Sequence, residues 1–285
     1  MVAINSVSAE KGSKGSNKRA VLDLIRFVSG GVSRAEMARR LSLSRAAVTA
    51  IVKDLMELEL IREGQNGPTT GGRRPILLEM NPACGHVLGV DIGATHLRIL
   101  LADYAAGVLE EIEIPFDIKR GPDRCLGQVD EQLRNLIRQS GLDLDDIHAV
   151  GVGVPGPVVM EKGSVVAPPI MPGWDDFPIR EHLQKIWSTR VTLNNDAELG
   201  ALGEWAYGVG RGLSHLLYIK VGYGVGAGLL FDGHIYHGAT GSAGEIGHIA
   251  IDSDGPLCTC GNRGCLESLS SGKAIAEKAR ELLAT

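Results

Sequence analysis

A chain of 285 residues with 44% hydrophobic side chains is long enough for one large domain or two ordinary ones with buried cores, which excludes a peptide, a collagen-like chain and a disordered polymer. Apolar runs such as Ile99 to Ala102 fall far short of the roughly 20 residues a bilayer needs, and the first residues hold no apolar core before a cleavage site, so a cytoplasmic chain with no membrane partner is expected. The net charge of −5 divides unevenly, with 13 Lys and Arg against 8 Asp and Glu over Met1–Met80 and 16 against 26 beyond it, which predicts a basic, nucleic-acid-binding domain joined to an acidic one.

Residues 1–16 are small and polar and read as a disordered arm, with structure beginning near Asn17. Val21, Leu22, Leu24, Ile25 and Val28 then recur at helical spacing, and Ser29-Gly30-Gly31 ends that helix. A second helix opens at Ser33, with Glu36 at the spacing of a reciprocal capping box, and ends near Leu41. After the Ser42-Leu43-Ser44 turn a third helix runs from about Arg45 to Leu58, with Val48, Ile51, Val52, Leu55 and Leu58 on its inner face. Leu60–Arg62, a tip containing Gly64, Gly67, Gly71 and Gly72, and Pro75–Met80 read as strand, loop and strand. Three helices with a tight turn before the third, followed by a hairpin, predict an α+β winged helix-turn-helix domain over 17–80 that binds operator DNA. Its third helix would offer Ser44, Arg45, Ala46 and Thr49 to the major groove, and Arg73 and Arg74 on the wing would reach phosphates or the minor groove.

Residues 81–85, Asn-Pro-Ala-Cys-Gly, form a linker, and from 86 to 285 the pattern is α/β. Strands are expected at His86–Asp91, His96–Asp103 and Val108–Ile114 as an antiparallel meander, at Ile147–Val154 and at Val191–Leu193, with helices at Pro122–Ser140 and Ala197–Trp205. Leu216–Val221 and Ala227–Phe231 form a hairpin around a glycine-rich turn, and a last helix covers Lys273–Leu283. No short-period repeat is present.

His248, Cys258, Cys260 and Cys265 fall within 18 residues, and three thiols with one imidazole suit a tetrahedral, closed and therefore structural zinc site. Disulfides are the poorer reading, since three cysteines cannot all pair among themselves; Cys84 and Cys125 are ordinary thiols outside the cluster. Two glycine-bearing turns follow strands, one holding Asp91, Gly93 and Thr95, the other Gly222 and Gly224. Exposed N–H groups there can cradle phosphate and Asp91 can orient magnesium, although ligand-free glycine turns are common. Asn194-Asn195-Asp196, between a strand and a helix, suits either a proton-accepting carboxylate or a helix cap.

Read together, Gly153-Val154-Pro155-Gly156-Pro157, Pro172-Gly173-Trp174, Asn195-Asp196-Ala197, the segment Leu217 to His248 and Cys258-Thr259-Cys260-Gly261-Asn262-Arg263-Gly264-Cys265-Leu266-Glu267 resemble the ROK family of repressors, open reading frames and kinases. Gly72–Pro75 resembles the wing of its repressor branch. The resemblance implies an actin-like ATPase (ribonuclease H-like) fold, with Asn195, Asp196, Glu245, His248 and Glu267 binding sugar hydroxyls. It further implies that His248 serves zinc with one ring nitrogen and sugar with the other, and that Asp196 would be the general base in a kinase using ATP and magnesium. The sequence departs from the kinase pattern at Ala94, where a glycine is usual, and at Tyr223, where a threonine is usual. Relatives also continue past the zinc motif, so the second lobe is expected to be incomplete. The expectation is therefore a dimeric, sugar-responsive repressor of carbohydrate genes, with an ATP-dependent hexose kinase as the alternative.

Overall fold

The computed structural model describes residues 14–68 and 74–284. Helix α1 (Lys14–Phe27) ends at Gly30 and Gly31, whose φ of 79° and 83° are left-handed values that glycine adopts without strain. It begins three residues earlier than expected, so residues 14–16 are helical and not part of an arm: once Val21, Leu24 and Ile25 are packed, adding a turn needs no new nucleus. The rest of that arm, and Gly71, Gly72 and Arg73 at the expected wing tip, lie outside the described residues.

A two-residue strand β1 (Val32–Ser33) precedes α2 (Arg34–Arg40). Ser33 Oγ accepts the Glu36 N–H at 3.2 Å, but the Glu36 carboxylate turns outward to Arg39 and Arg40, so only half of the expected capping box forms. Helix α3 (Arg45–Glu57) is capped by Ser44 Oγ, and the antiparallel strands β2 (Ile61–Asn66) and β3 (Ile76–Met80) follow. The sheet order is β1-β3-β2, and Val21, Leu24, Met37, Val48, Val52, Leu55 and Leu78 form one core beneath the helices.

After a single 3-10 turn at Pro82–Cys84, strands β4 (His86–Ile92), β5 (His96–Asp103) and β6 (Val108–Pro115) form the expected meander. Helix α4 (Pro122–Gln139) leads to β7 (Ile147–Val154), which runs parallel to β4; an alternation buried on both faces suits a central strand. Short strands β8 (Val158–Val159) and β9 (Ser164–Val165) and helix α5 (Ile179–Trp187) come next, then β10 (Arg190–Asn195), parallel to β7. The five-stranded order is β10-β7-β4-β5-β6, and α4 and α5 pack Leu126, Val129, Leu133, Ile179, Leu183 and Trp187 into its core. Helix α6 (Asp196–Tyr207) touches β7 and β10 on one side and, on the other, a second sheet of β11 (Leu216–Val221), β12 (Val225–Phe231) and β13 (His234–Ile235). Helices α7 (Leu266–Ser270) and α8 (Gly272–Leu283) complete the described chain.

The two units meet through aromatic groups. Phe27 stacks at a tilt on Trp205 of α6 with centroids 5.1 Å apart, and Tyr104 and Ala105, from the β5–β6 turn, pack against the core of the first unit. None of the described helices is long and apolar enough to cross a membrane.

Candidate functional site

Parallel strands end on the same side of a sheet, and ligands of α/β proteins collect in the crevice outside those carboxyl ends. Here the register sets Asp91 of β4 beside Gly153 of β7 and Gly153 beside Asn194 of β10, so the segments after all three strands converge. A cavity of about 270 Å³ opens there, lined by Gly93–His96, Pro155, Gly156, Asn195 and Asp196, and closed on the other side by Lys220 and the 222–226 turn of the second sheet and by Glu245, His248, Thr259 and Glu267 beyond it. It brings together all five residues expected to meet sugar hydroxyls, with Gly93, Thr95, Gly222 and Gly224 beside them.

Asn195 is the N-cap of α6: its Oδ1 accepts from the N–H groups of Ala197 (2.8 Å) and Glu198 (3.1 Å), while its Nδ2 donates to the Gly156 carbonyl at 3.0 Å. The cap and the site are thus one residue, which locks the end of β10 to the turn after β7. Asp196 opens the helix and turns its carboxylate into the cavity, where Lys220 Nζ donates to Oδ2 at 2.7 Å. Burial pulls the Lys220 ammonium down, but the charge and hydrogen bond of Asp196, with Asp91 behind, outweigh it and the net shift is upward. Glu245 moves up as well, chiefly by burial, with His248 opposing and Asp196 and Glu267 reinforcing. Glu267 Oε2 accepts the Val225 N–H at 2.9 Å, and a side chain at Gly224 would meet that same oxygen, so a larger residue there would displace the Glu267 carboxylate from this bond.

The phosphate-turn residues are arranged differently from a free cradle. The Gly93 N–H donates to the His96 carbonyl at 2.9 Å and the Gly222 N–H to the Gly224 carbonyl at 2.9 Å, so two of the expected backbone donors are spent within the chain. Asp91 lies behind the cavity wall; its Oδ2 is 3.3 Å from His96 Nε2 and its buried Oδ1 has no partner among the described residues.

His248 joins the cavity to a second centre. Its Nδ1 is 3.5 Å from Cys258 Sγ, and its Nε2 faces Glu245 Oε2 at 3.7 Å. Cys260 and Cys265 sulfurs are 3.7 Å apart, and the four ligand atoms all lie within 4.8 Å of one another. A tetrahedral ion with ~2.3 Å bonds to sulfur and ~2.0 Å to nitrogen separates its ligands by roughly 3.5–3.8 Å, so this set can hold one divalent cation of the zinc type. The thiols alone resist ionising together: burial, then hydrogen bonds with Cys260 and Cys258, push Cys265 up to about 12. A bound cation is the ordinary remedy for such crowding.

On α3, Ser44, Arg45, Ala46 and Thr49 are exposed on the face opposite the buried Val48, Ile51, Val52 and Leu55. Ser44 Oγ caps the helix through the Ala47 N–H, and Thr49 Oγ1 donates to the Arg45 carbonyl at 2.8 Å. Arg74 is exposed just ahead of β3.

Sequence reasoning assigned no role to Lys220, to Thr259, or to the buried Glu198, which pairs with His237 Nδ1 at 2.8 Å and whose carboxyl is raised by burial. Lys220 left a signal: with Leu216 and Tyr218 it occupies the inward positions of β11, where a charge needs a partner.

Residues 87–285 match the ROK family model, and the chain belongs to that family, with its α/β fold. A putative xylose repressor of Caldicellulosiruptor sp. (strain Rt8B.4) is 32% identical over 252 residues, 88% of this chain and 63% of the relative, so the chain spans less than two thirds of that relative's length. A glucokinase of Halalkalibacterium halodurans is 34% identical over 195 residues, covering 68% of this chain and 59% of the relative. Among solved structures, a ROK family transcriptional regulator, homolog of E. coli MLC protein, superposes with a TM-score of 0.72 at 26% identity, covering 95% of this chain and 69% of that one.

Proposed function

We propose that this chain is a sugar-responsive, DNA-binding transcriptional regulator, a repressor of carbohydrate uptake and catabolism genes that works as a dimer on paired half-sites. The observation that carries the proposal is the presence, in one chain, of a basic helical unit with an exposed α3 face and a small cavity lined by Asn195, Asp196, Glu245, His248 and Glu267. The first unit acts as a winged helix-turn-helix, with Ser44, Arg45, Ala46 and Thr49 toward base edges and Arg73 and Arg74 toward the backbone or minor groove. The cavity, of about 270 Å³ and just below the ~300–1,000 Å³ typical of small-molecule sites, suits a single sugar ring. Zinc on His248, Cys258, Cys260 and Cys265 is structural: it fixes the imidazole so that the other ring nitrogen faces the ligand. The relative named a putative xylose repressor and the solved ROK family transcriptional regulator support this reading.

The second reading is an ATP-dependent sugar kinase with Asp196 as base, favoured by the glucokinase relative. Against it stand Ala94, Tyr223 and the spent N–H groups of Gly93 and Gly222, since phosphoryl transfer needs nucleotide, metal and acceptor held in line. Mobility-shift assays on DNA upstream of the gene test the proposal. A sequence-specific band that Arg45→Ala weakens at least roughly tenfold is the expected result; no specific band under any condition contradicts it. Sugar-dependent ADP release abolished by Asp196→Asn would establish the kinase reading instead.

A further inference from the structure

Lys220 is the one amine in a cavity whose other titratable side chains are three carboxylates, His248, Tyr223 and His96, the last with its Nε2 facing Asp91 Oδ2 at 3.3 Å. Asp196, Glu245 and Glu267 are carboxylates, and His248 belongs to the cysteine cluster. A sugar hydroxyl carries one proton to donate and lone pairs to accept with, so carboxylates alone satisfy half of its capacity. Other donors line the cavity, among them the second Asn195 Nδ2 proton, Thr95, His96, Tyr223 and Thr259, but each is neutral or partly engaged: Asn195 Nδ2 already donates to Gly156, His96 faces Asp91, and Thr259 Oγ1 lies 3.5 Å from Glu267 Oε1. The Lys220 ammonium has three protons, and one of them is on Asp196 Oδ2 at 2.7 Å. No other hydrogen bond to the Asp196 carboxylate is made among the described residues. The Asp196 and Lys220 side chains are 15% and 31% exposed, and both line the cavity.

We infer that Lys220 and Asp196 form a donor–acceptor clamp for a single ligand hydroxyl, with Lys220 the residue that selects for it. This rests on the sugar-receptor reading. The hydroxyl donates its proton to Asp196 Oδ1 and accepts from a second Lys220 N–H, while Asp196 Oδ2 stays engaged by the ammonium. The clamp recognises without activating. It takes a neutral sugar: an ester phosphate at the same oxygen removes the donated proton and sets a dianion against Asp196, with Glu245 and Glu267 nearby. A deoxy analogue leaves the pair intact but unused.

Titration calorimetry on the full chain purified with zinc tests the clamp, using D-xylose, D-glucose, other neutral monosaccharides and the monodeoxy analogues of whichever sugar binds. The expected result is that Lys220→Met weakens the parent sugar at least roughly tenfold, with one deoxy analogue bound equally weakly by the wild type and the variant. That single-hydroxyl coupling is something a merely structural lysine would not produce. Lys220→Gln, which keeps a donor without the charge, falls between them and serves as the second variant if Lys220→Met melts early. Undiminished binding by either folded variant, or an equal loss for every deoxy analogue, overturns the clamp and leaves the receptor reading in place. No heat with any sugar in the wild type overturns the receptor reading and the clamp together.

Discussion

The Glu36 carboxylate sits within hydrogen-bond reach of both Arg39 and Arg40 at 2.6 Å, and those two bonds, the Arg39 one first, hold it down to about 2. Its pairing therefore stabilises α2 fully above the ordinary carboxylate range near 4.5, and that stabilisation is lost as pH falls toward about 2. The group is at the surface, where screening limits such pairs, so Glu36→Gln should lower the melting temperature by only roughly 1–3 °C at pH 7, with the gap closing below about pH 3. A gap independent of pH contradicts the assignment. At this scale the sequence is most readable where chemistry is concentrated. Three cysteines and a histidine announce their own cluster because few other patterns place them together, whereas Lys220 and Asp196 are 24 residues apart and meet only because β11 and α6 pack. Glu36 is the complementary case: its spacing from Ser33 fits a cap, but two guanidinium groups one turn on outcompete a backbone N–H.

Among the elements, the long and strongly periodic ones follow from their residues: α3, α4, the β4–β6 meander and β7 all lie within a few residues of their expected bounds. Helix α5 was not expected, although Ile179, Leu183, Ile186 and Trp187 fall at helical spacing, because it is only nine residues long and follows a proline-rich stretch that reads as loop. Strands β8, β9 and β13 have two residues each and exist through tertiary pairing, which no local periodicity reports. The segment from Ile249 to Cys265 holds no regular helix or strand and is tied by scattered backbone bonds such as Cys258 N–H to Asn262 O at 2.7 Å. Under the proposed zinc site, the shape of this loop rests on the cation that His248, Cys258, Cys260 and Cys265 would hold. Elemental analysis should give one zinc per chain, and removing it with a chelator, or Cys265→Ser, should lower the melting temperature and weaken sugar binding at least roughly tenfold, because His248 and Glu267 flank the loop. Unchanged stability and binding after verified metal removal would contradict a structural role.

In the molecule as a whole, α6 runs from the cavity, where Asn195 and Asp196 begin it, to the first unit, where Trp205 meets Phe27. A 12-residue helix is roughly 18 Å of rigid rod, so the pocket and the α1–α3 unit share a structural element. Division into a basic and an acidic unit was readable from charge alone; the contact between them was not, since Phe27, Tyr104 and Trp205 look like ordinary apolar residues of separate elements. A ligand changes DNA affinity only as far as it binds the DNA-competent and the free arrangements differently. The proposed regulation is thus a coupling between two binding events. Fluorescence anisotropy of a labelled fragment upstream of the gene, titrated with the zinc-loaded chain with and without the sugar identified by calorimetry, measures that coupling. The midpoint should move by at least roughly fivefold when sugar is present, on this fragment and not on scrambled DNA of the same composition; identical midpoints with and without a sugar known to bind would contradict the coupling.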